Sequence, residues 1–507
     1  MALGLLPPFA RKLIEHIFCS SETSFVAELP NFEVICVDSP DRSSYHLQSC
    51  RRWRTDVAVC FAFDASFGNL RKENSMTVQS KGTMPALCGG ERVVNIAAPS
   101  WPIVDEADVE RMVTVTRSGN WSWIGPQEMA FCKEYAEFIG TRHCLGLMNG
   151  TVTLQCALKA VGVVPGDEVI VPGLTWVATA QAAMDVGADV VFVDIDPETL
   201  CIDPEAIRSA ITPRTKAVIP VHLYGCMCDM DAIMAIAQKH GLKIVEDVAH
   251  QHGSAWKGTC AGAIGDAGSF SFQQSKVLTC GEGGAITCDD EDVYRTAFAL
   301  KQVGWIPDPG EPFVAGEPPK LVPGNRYCHN YRMNEFQAAI LRGGLARLDA
   351  QNLRRENAAA YLTERLATMG GPLRAVARDP RITRQACYAM TFFFDPNEAE
   401  GLHRDQYIEA VAAEGCSLSK TYDPVYNSPL MNLRDRTSPI PFREPASHQD
   451  YEALNLPNVS SAVGETATLL SHTHLLGERD YLDQLLEAID KINNNLTTVR
   501  QHFEANP

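Results

Sequence analysis

The sequence predicts an α/β protein in which a large, mainly parallel sheet domain is followed by a smaller C-terminal α/β domain. From about residue 125 onward, short apolar segments alternate with helical patterns of about 10 to 15 residues, as in sheets whose parallel strands are connected by helices. The chain has 507 residues, which is too long for one small core and suits two large domains. Hydrophobic residues make up 45% and charged residues 21%, which is ordinary globular composition.

The elements of the large domain are predicted from apolar periodicity and from the residues that end each pattern. The predicted helices are Gln127 to Ile139, Thr151 to Val161, Trp176 to Val186, Met230 to His240 and Glu335 to Leu348. The predicted strands are Cys144 to Met148, Glu168 to Val171, Asp189 to Val193, Lys216 to Val221, Leu242 to Val245 and Ser269 to Phe272. Because ligands of such sheets gather at the carboxyl ends of the strands, the residues that follow each strand are the first candidates for a site.

The two ends of the chain differ from its centre. Residues 1–85 mix Cys, Ser, Arg and aromatic residues with little periodicity, and we leave them as an unassigned N-terminal extension. They are either a real appendage or sequence upstream of a start at Met76 or Met84. The large domain is expected to span residues 86–348 and the small domain residues 349–507. In the small domain we expect the strand Tyr388 to Phe394, the helices Arg404 to Glu414 and Asp480 to Asn494, and a Pro-rich loop, Phe442 to Asn458.

Charge and cysteine content exclude several classes of partner. The formal net charge of -18 argues against binding to nucleic acid or to an anionic membrane surface. The 17 cysteines have no repeating spacing and no signal peptide is evident, which favours reduced thiols in the cytoplasm. Cys226 and Cys228 stand close together, but no second pair completes a metal site. No apolar run reaches the roughly 18 residues of a membrane span.

Three motifs follow strands of the large domain. Asn149-Gly150-Thr151 stands between a strand and a helix, where free backbone N–H groups can hold a phosphate, although the same residues also make a good turn and cap. Asp247 comes after another strand, where a carboxylate either points into the ligand crevice or caps the next element. Trp176 follows a third strand, where an indole either stacks on a flat heteroaromatic ring or packs into the core.

Lys276 follows the strand Ser269 to Phe272 and precedes a glycine-rich stretch. A lysine at that point can reach the crevice, where desolvation lets its amine react with an aldehyde, although most lysines are surface residues. Asn330 and Arg332 stand at the entrance to the domain-linking helix and either bind an anion or cap that helix. None of these signals is specific alone, but their order along the chain is specific. A phosphate-type turn, an aromatic residue, a carboxylate and a lysine follow one another, each at the end of a strand.

In this order of motifs the chain resembles the DegT/DnrJ/EryC1/StrS family of sugar aminotransferases, which have the aspartate aminotransferase fold, called fold type I. The resemblance runs from about Ala86 to Asn495, and the segments Ser269 to Gly284 and Asn330 to Ala338 are especially specific for it. It implies a seven-stranded type of sheet and pyridoxal 5′-phosphate (PLP) as the cofactor. Residues 1–85 depart from the family pattern.

The resemblance also implies a role for each candidate residue. Lys276 is the lysine that binds PLP covalently, and Asp247 pairs with the pyridine nitrogen, so these two residues are the catalytic ones. His250 lies beneath the ring and contacts its phenolic oxygen, where many relatives have Gln, and Trp176 stacks on the opposite face. The phosphate is held by Gly150, Thr151 and Ser271, and by Asn330 of the neighbouring subunit in a homodimer.

The expected activity is transfer of an amino group from glutamine or glutamate to a keto-cyclitol or keto-sugar. The Gly173-Leu174-Thr175-Trp176 run is most similar to that of cyclitol aminotransferases, which act on scyllo-inosose-type ketones in aminoglycoside pathways. A nucleotide-sugar aminotransferase and an enzyme like 3-amino-5-hydroxybenzoate synthase remain the alternatives. One group of relatives replaces the lysine with histidine and performs dehydration, so Lys276 favours transamination.

Overall fold

The computed structural model describes residues 84–431 and 449–506, together with the backbone of two short strands near the N-terminus. Those strands, Val26–Leu29 and Phe32–Ile35, pair antiparallel within a compact unit of residues 1–77. The other described residues form a second compact unit within residues 78–507. Apart from the two strands and residues 84 and 85, the expected N-terminal extension lies outside the described residues.

A seven-stranded sheet forms the centre of the second unit. The strands of this part of the chain are β1 His143–Leu147, β2 Glu168–Pro172, β3 Asp189–Val193, β4 Thr215–Val218, β5 Lys243–Asp247, β6 Ala255–Trp256, β7 Thr259–Cys260, β8 Ala267–Ser271 and β9 Gly284–Cys288. The order across the large sheet is β1-β9-β8-β5-β4-β2-β3, and only β9 runs antiparallel to its neighbours. The expected α/β fold with a mainly parallel sheet is therefore confirmed.

Helices connect most of these strands: α1 Glu106–Ser118, α2 Pro126–Ile139, α3 Gly150–Ala160, α4 Ala178–Asp185, α5 Pro204–Ala210, α6 Met230–His240 and α7 Glu291–Lys301. Asn149 caps α3, because its side-chain oxygen accepts a hydrogen bond from the backbone N–H of Val152 at 3.0 Å. Gly140 ends α2 with a φ of 88°, in the left-handed region that favours glycine. The sequence pattern extended α4 back to Trp176, whereas the helix begins at Ala178 and leaves Trp176 in the preceding loop.

A single long helix, α8 Glu335–Met369, joins the large sheet to the C-terminal part of the chain. The sequence pattern placed its end at Leu348, so the expected domain boundary at 348/349 falls within the helix. No proline interrupts the helix, which continues to Gly370 and buries Leu341 and Leu348 in the core around the large sheet. Further along, Leu362 and Leu366 enter a second core. No helix in the described part of the chain is long and apolar enough to cross a membrane.

Between α7 and α8 lie two short strands, β10 Trp305–Pro307 and β11 Leu321–Pro323, which pair with each other. The C-terminal part contains the strands β12 Leu373–Ala375, β13 Ile382–Arg384, β14 Ala389–Phe394, β15 Leu418–Ser419 and β16 Ala467–Ser471. Four of them form an antiparallel sheet in the order β12-β14-β16-β15, and β13 pairs with β6 of the large domain. The helices are α9 Arg404–Ala413, α10 Pro457–Ser461, α11 Arg479–Asn493 and α12 Leu496–Ala505. The second core lies between this sheet and the helices α8, α9, α11 and α12.

After β15 a crossing segment, residues 420–431 and 449–461, returns from the small sheet to the edge strand β3. The side-chain amide of Gln449 donates to the backbone oxygen of Phe192 at 2.7 Å and accepts from its N–H at 2.8 Å, in the manner of a neighbouring strand. The Tyr451 hydroxyl donates to the Val190 oxygen at 2.5 Å. Of the expected loop, residues 442–448 lie outside the described residues, 449–456 contain no helix or strand, and α10 begins at Pro457.

Candidate active site

A cavity of about 530 Å³ lies where the parallel strands end. Strands β5 and β8 lead directly into its wall, and the N-terminus of α3 closes another side. Seven of the eight residues expected at the site line this cavity: Gly150, Thr151, Trp176, Asp247, His250, Ser271 and Lys276. The structure therefore brings these seven residues together in one cavity, and the role of each stays a prediction.

Lys276 is buried at the cavity wall in the turn that follows β8, and 9% of its surface is exposed. Burial lowers the pKa of its amine to about 8, and the nearby Asp247 carboxylate opposes that shift. The Nζ atom lies 4.7 Å from the centroid of the Tyr388 ring. An amine with this pKa is partly unprotonated near neutral pH and is therefore a competent nucleophile.

Asp247 ends β5 and is also buried. Its two carboxylate oxygens accept hydrogen bonds from the Thr179 hydroxyl at 2.9 Å and from the Ala249 N–H at 3.2 Å. Burial raises the pKa of Asp247, while these hydrogen bonds and the Lys276 amine act in the opposite direction. A buried carboxylate of this kind is stabilised by a cationic N–H group placed against it.

The N-terminus of α3 forms an anion cradle. Since Asn149 caps Val152, the backbone N–H groups of Gly150 and Thr151 stay available at the positive end of the helix. A Cβ atom added at Gly150 would lie 2.6 Å from the Cβ of Ser271, so only glycine fits there without displacement. The hydroxyl-bearing residues Thr151 and Ser271 border the same part of the cavity. This arrangement suits a phosphate group.

His250 is held on three sides. Its Nδ1 accepts a hydrogen bond from the backbone N–H of Tyr224 at 3.1 Å, its Nε2 lies 3.3 Å from the Tyr422 hydroxyl, and its ring stacks on Tyr388 with centroids 3.8 Å apart. Tyr224 adopts a left-handed φ of 54°, which is rare for a residue with a Cβ atom. Burial holds the pKa of His250 well below its usual range, so the imidazole is neutral.

Trp176 and Asn330 occupy more open positions. The Trp176 side chain is 57% exposed at the cavity, and its ring centroid lies 5.5 Å from that of Tyr422. Asn330 is the one expected site residue that does not line the cavity of its own chain. It is exposed and pairs through its backbone with Gln302. Within one chain, the structure therefore does not bring Asn330 to the other site residues.

Sequence reasoning assigned no role to several residues of the cavity wall, among them Ser275, Tyr388 and Tyr422. The two tyrosines come from the small domain, more than a hundred residues beyond Lys276, and neither follows a strand of the large sheet. The strand was expected from Tyr388 to Phe394 and begins at Ala389, but nothing in its local pattern indicated that Tyr388 lines a cavity. In the described part of the chain, no cluster of His, Cys, Asp and Glu is arranged to hold a metal ion.

The cavity fits PLP part by part. The glycine-lined end of α3 suits the phosphate, the buried Asp247 carboxylate suits a protonated pyridine nitrogen, and the Lys276 amine suits the aldehyde. The exposed Trp176 ring and the neutral His250 imidazole border the space in which a flat heteroaromatic ring would lie. This agreement rests on geometry and burial alone.

Comparison with known proteins agrees with the geometry. One relative is a Streptomyces kanamyceticus protein provisionally named as an L-glutamine:3-amino-2,3-dideoxy-scyllo-inosose aminotransferase. The two sequences are 40% identical over 416 residues, which cover 81% of this chain and 97% of that protein. It is 37% identical over 421 residues to L-glutamine:scyllo-inosose aminotransferase from Streptomyces griseus, covering 82% of this chain and 98% of that protein.

Among solved structures, the crystal structure of 3-amino-5-hydroxybenzoic acid synthase matches with a TM-score of 0.68 and 32% identity. The match covers 78% of this chain and 98% of that chain. Residues 102–470 match the DegT/DnrJ/EryC1/StrS aminotransferase family. The expected resemblance is thus confirmed, and the chain belongs to the DegT/DnrJ/EryC1/StrS family of PLP-dependent aminotransferases.

Proposed function

We propose that this enzyme transfers the amino group of L-glutamine, or of glutamate, to a keto-cyclitol of the scyllo-inosose type in aminoglycoside biosynthesis. The observation that carries the chemistry is the buried Lys276 amine beside the buried Asp247 carboxylate in one cavity. The choice of acceptor is supported by the names of the relatives, which include L-glutamine:scyllo-inosose aminotransferase. An aromatising synthase is the second candidate, because a solved 3-amino-5-hydroxybenzoic acid synthase shares this fold at 32% identity. A nucleotide-sugar aminotransferase is the third.

In this proposal each residue has one task. PLP, when bound, supplies an electron sink at the carbon from which the donor loses its proton. The Lys276 Nζ atom removes that proton and returns a proton in the next step, which its lowered pKa permits. Asp247 keeps the pyridine nitrogen protonated. His250 contacts the phenolic oxygen and Trp176 stacks on the ring.

The phosphate is held by the cradle, which consists of Gly150, Thr151 and Ser271. Because the anchor and the reacting amine lie on different elements, the cofactor is fixed at both ends. A ligand held at two ends loses its freedom to rotate before the reaction begins, which favours a productive geometry.

We also propose a homodimer in which Asn330 reaches the phosphate of the neighbouring subunit. Asn330 is exposed, and the Arg332 guanidinium near it lies 4.7 Å from the ring centroid of Trp123. Trp121 and Trp123 are 51% and 49% exposed. Large aromatic side chains at the surface are typical of protein interfaces. A second copy of the chain would cover them.

The cytoplasm is the compartment we propose. All cysteines of the described residues are free, and many of them are buried. Burial raises the pKa of Cys226 and Cys228, so their thiols stay protonated and unreactive. Free thiols in this number are typical of a reducing environment.

A panel of ketones tests the activity. Purified enzyme with PLP and glutamine is incubated with scyllo-inosose, 2-deoxy-scyllo-inosose and a nucleotide 4-keto-sugar, and amine products are measured by mass spectrometry. We expect the inososes to be aminated and Lys276→Ala to abolish both the reaction and the visible absorbance of lysine-bound PLP. Lys257→Ala, at an exposed lysine paired with Asp231, is the matched control. Amination of the nucleotide sugar alone would contradict the proposed acceptor.

A further inference from the structure

A row of hydrogen-bonded side chains runs along the cavity wall beside Lys276. It consists of His250, Tyr422, Tyr388, Ser275 and Gln273, all of which line the cavity. Only His250 has a role toward PLP in the proposed function. Tyr388 is also the residue whose ring lies 4.7 Å from the Lys276 amine. The row therefore borders the place where a second substrate meets that amine.

The members of the row are connected in sequence. The His250 Nε2 atom lies 3.3 Å from the Tyr422 hydroxyl, and the His250 ring stacks on the Tyr388 ring with centroids 3.8 Å apart. The Tyr388 hydroxyl lies 3.1 Å from the Ser275 Oγ atom. That oxygen in turn lies 2.8 Å from the Gln273 Oε1 atom. Three hydrogen bonds and one ring stack thus connect the five side chains along this wall.

The direction of each of these three hydrogen bonds follows from the two ends of the row. At one end, Gln273 Oε1 also accepts the backbone N–H of Ser275 at 2.8 Å, so it is the carbonyl oxygen and Ser275 must donate to it. Tyr388 must then donate to Ser275. At the other end, His250 Nδ1 accepts from a backbone N–H, so the neutral ring carries its proton on Nε2 and donates to Tyr422.

This direction makes the row an acceptor surface. The hydroxyl protons of Tyr388 and Ser275 are used within the row and the Tyr422 oxygen accepts the His250 proton, whereas each of the three oxygens keeps a lone pair for a ligand. A ligand that lies against the row must therefore offer hydrogen-bond donors at neighbouring positions. Adjacent hydroxyl groups on one ring meet this requirement.

The row is held rigidly by both domains. The backbone N–H of Tyr422 donates to the Tyr224 hydroxyl at 2.9 Å. Tyr422 belongs to the crossing segment, which binds the edge strand β3 through Gln449. On the other side, the imidazole of His472 contacts the backbone oxygen of Ser275 at 2.9 Å. Because the oxygens are fixed before a ligand arrives, little ordering cost remains at binding.

We infer that Ser275, Tyr388 and Tyr422 form the recognition surface for the ring hydroxyls of the amino acceptor, and that they select a polyhydroxylated carbocycle. The inference deepens the proposed function and rests on it. It assigns specificity to Tyr388 and Tyr422, which lie beyond α8, and to Ser275, which directly precedes Lys276. Their oxygens accept hydrogen bonds from the acceptor while Lys276 acts on the carbon that carries nitrogen.

The test uses scyllo-inositol, a cyclitol without a carbonyl group, as an unreactive probe. Its dissociation constant for the PLP-loaded enzyme is measured by calorimetry for the wild type and for Tyr388→Phe and Tyr422→Phe. Tyr361→Phe serves as the control, because the Tyr361 hydroxyl bonds Asp483 outside the cavity. Each row variant should bind scyllo-inositol about tenfold more weakly than the wild type, because it loses one or two hydrogen bonds to the ligand. The Tyr361→Phe control should bind it as the wild type does.

Two kinetic readouts separate recognition from a merely structural role. The KM for scyllo-inosose should rise about as much as the dissociation constant, while the glutamine half-reaction, followed by the absorbance of the cofactor in a single turnover, changes far less. Unchanged binding of scyllo-inositol in both variants would overturn the inference. So would an equal loss of the glutamine half-reaction and of inositol binding. A different result would overturn the proposed function itself. If the wild-type enzyme neither binds scyllo-inositol nor aminates an inosose, a cyclitol is not its acceptor and is not the ligand of the row.

Discussion

At the scale of single residues, the reactivity of Lys276 is set by burial against a carboxylate. Burial lowers the pKa of the amine to about 8, below the ordinary 10.5, and Asp247 limits the shift. Only the unprotonated amine attacks an aldehyde. We therefore expect the rate at which the apo-protein captures PLP to rise about tenfold per pH unit below pH 8 and to level off above it.

Stopped-flow measurement of the visible absorbance of bound PLP checks this profile. The rate at each pH is divided by that of N-acetyl-lysine amide, which has an ordinary amine and the same PLP ionisations. The ratio should be constant below pH 8 and fall above it. A ratio that stays constant to pH 10 would show that Lys276 has the pKa of a free lysine.

Asp247 gives a second prediction at this scale. Both oxygens of its carboxylate are held in place by hydrogen bonds, one from the Thr179 hydroxyl and one from the Ala249 N–H. In Asp247→Asn the amide keeps the shape but loses the charge, so PLP should still bind while the glutamine half-reaction slows roughly 100-fold. PLP methylated at the ring nitrogen carries a permanent charge and should restore part of the rate. Asp185→Asn, at an exposed carboxylate, is the control.

At the scale of elements, the local sequence pattern predicted those strands whose formation depends on their own residues. The strands β1, β2, β3, β5 and β8 have apolar cores flanked by turn residues, and each was expected within a few residues. Strand β9 was missed because Gly284–Cys288 follows a glycine-rich stretch directly and its antiparallel pairing depends on β1, far away in the chain. Tyr388 and Tyr422 were missed for the same reason: they reach the cavity through domain packing, which no local pattern encodes.

The N-terminus of α3 carries the prediction at this scale. A Cβ atom at Gly150 would lie 2.6 Å from the Ser271 Cβ and 3.1 Å from its Oγ, so Gly150→Ala must widen the cradle. PLP affinity should fall about tenfold or more, whereas pyridoxal, which lacks the phosphate, should bind as to the wild type. Spectroscopic titration of the apo-protein with both aldehydes measures the difference. Gly464→Ala, where an added Cβ atom meets nothing within 4 Å, is the control.

At the scale of the whole molecule, the site depends on pieces that lie far apart in the sequence. The cradle, Lys276 and three of the five members of the row come from the large domain. Tyr388 and Tyr422 come from the C-terminal part of the chain, beyond α8. The crossing segment ties the two by giving the edge strand β3 side-chain partners in place of another strand. Asn330 adds a third source if the proposed dimer is correct, since it does not line the cavity of its own chain.

A mixed dimer tests whether Asn330 acts on the neighbouring subunit. In Asn330→Ala every phosphate site is weakened, and in Lys276→Ala every site lacks its amine. If the residues of one site come from two chains, a heterodimer of these variants has one site with both changes and one site with neither. Co-expression with two affinity tags isolates that heterodimer, and we expect about half of the wild-type activity per dimer. If Asn330 serves its own chain, both sites of the heterodimer carry a defect, and the activity should not exceed half that of the Asn330→Ala homodimer.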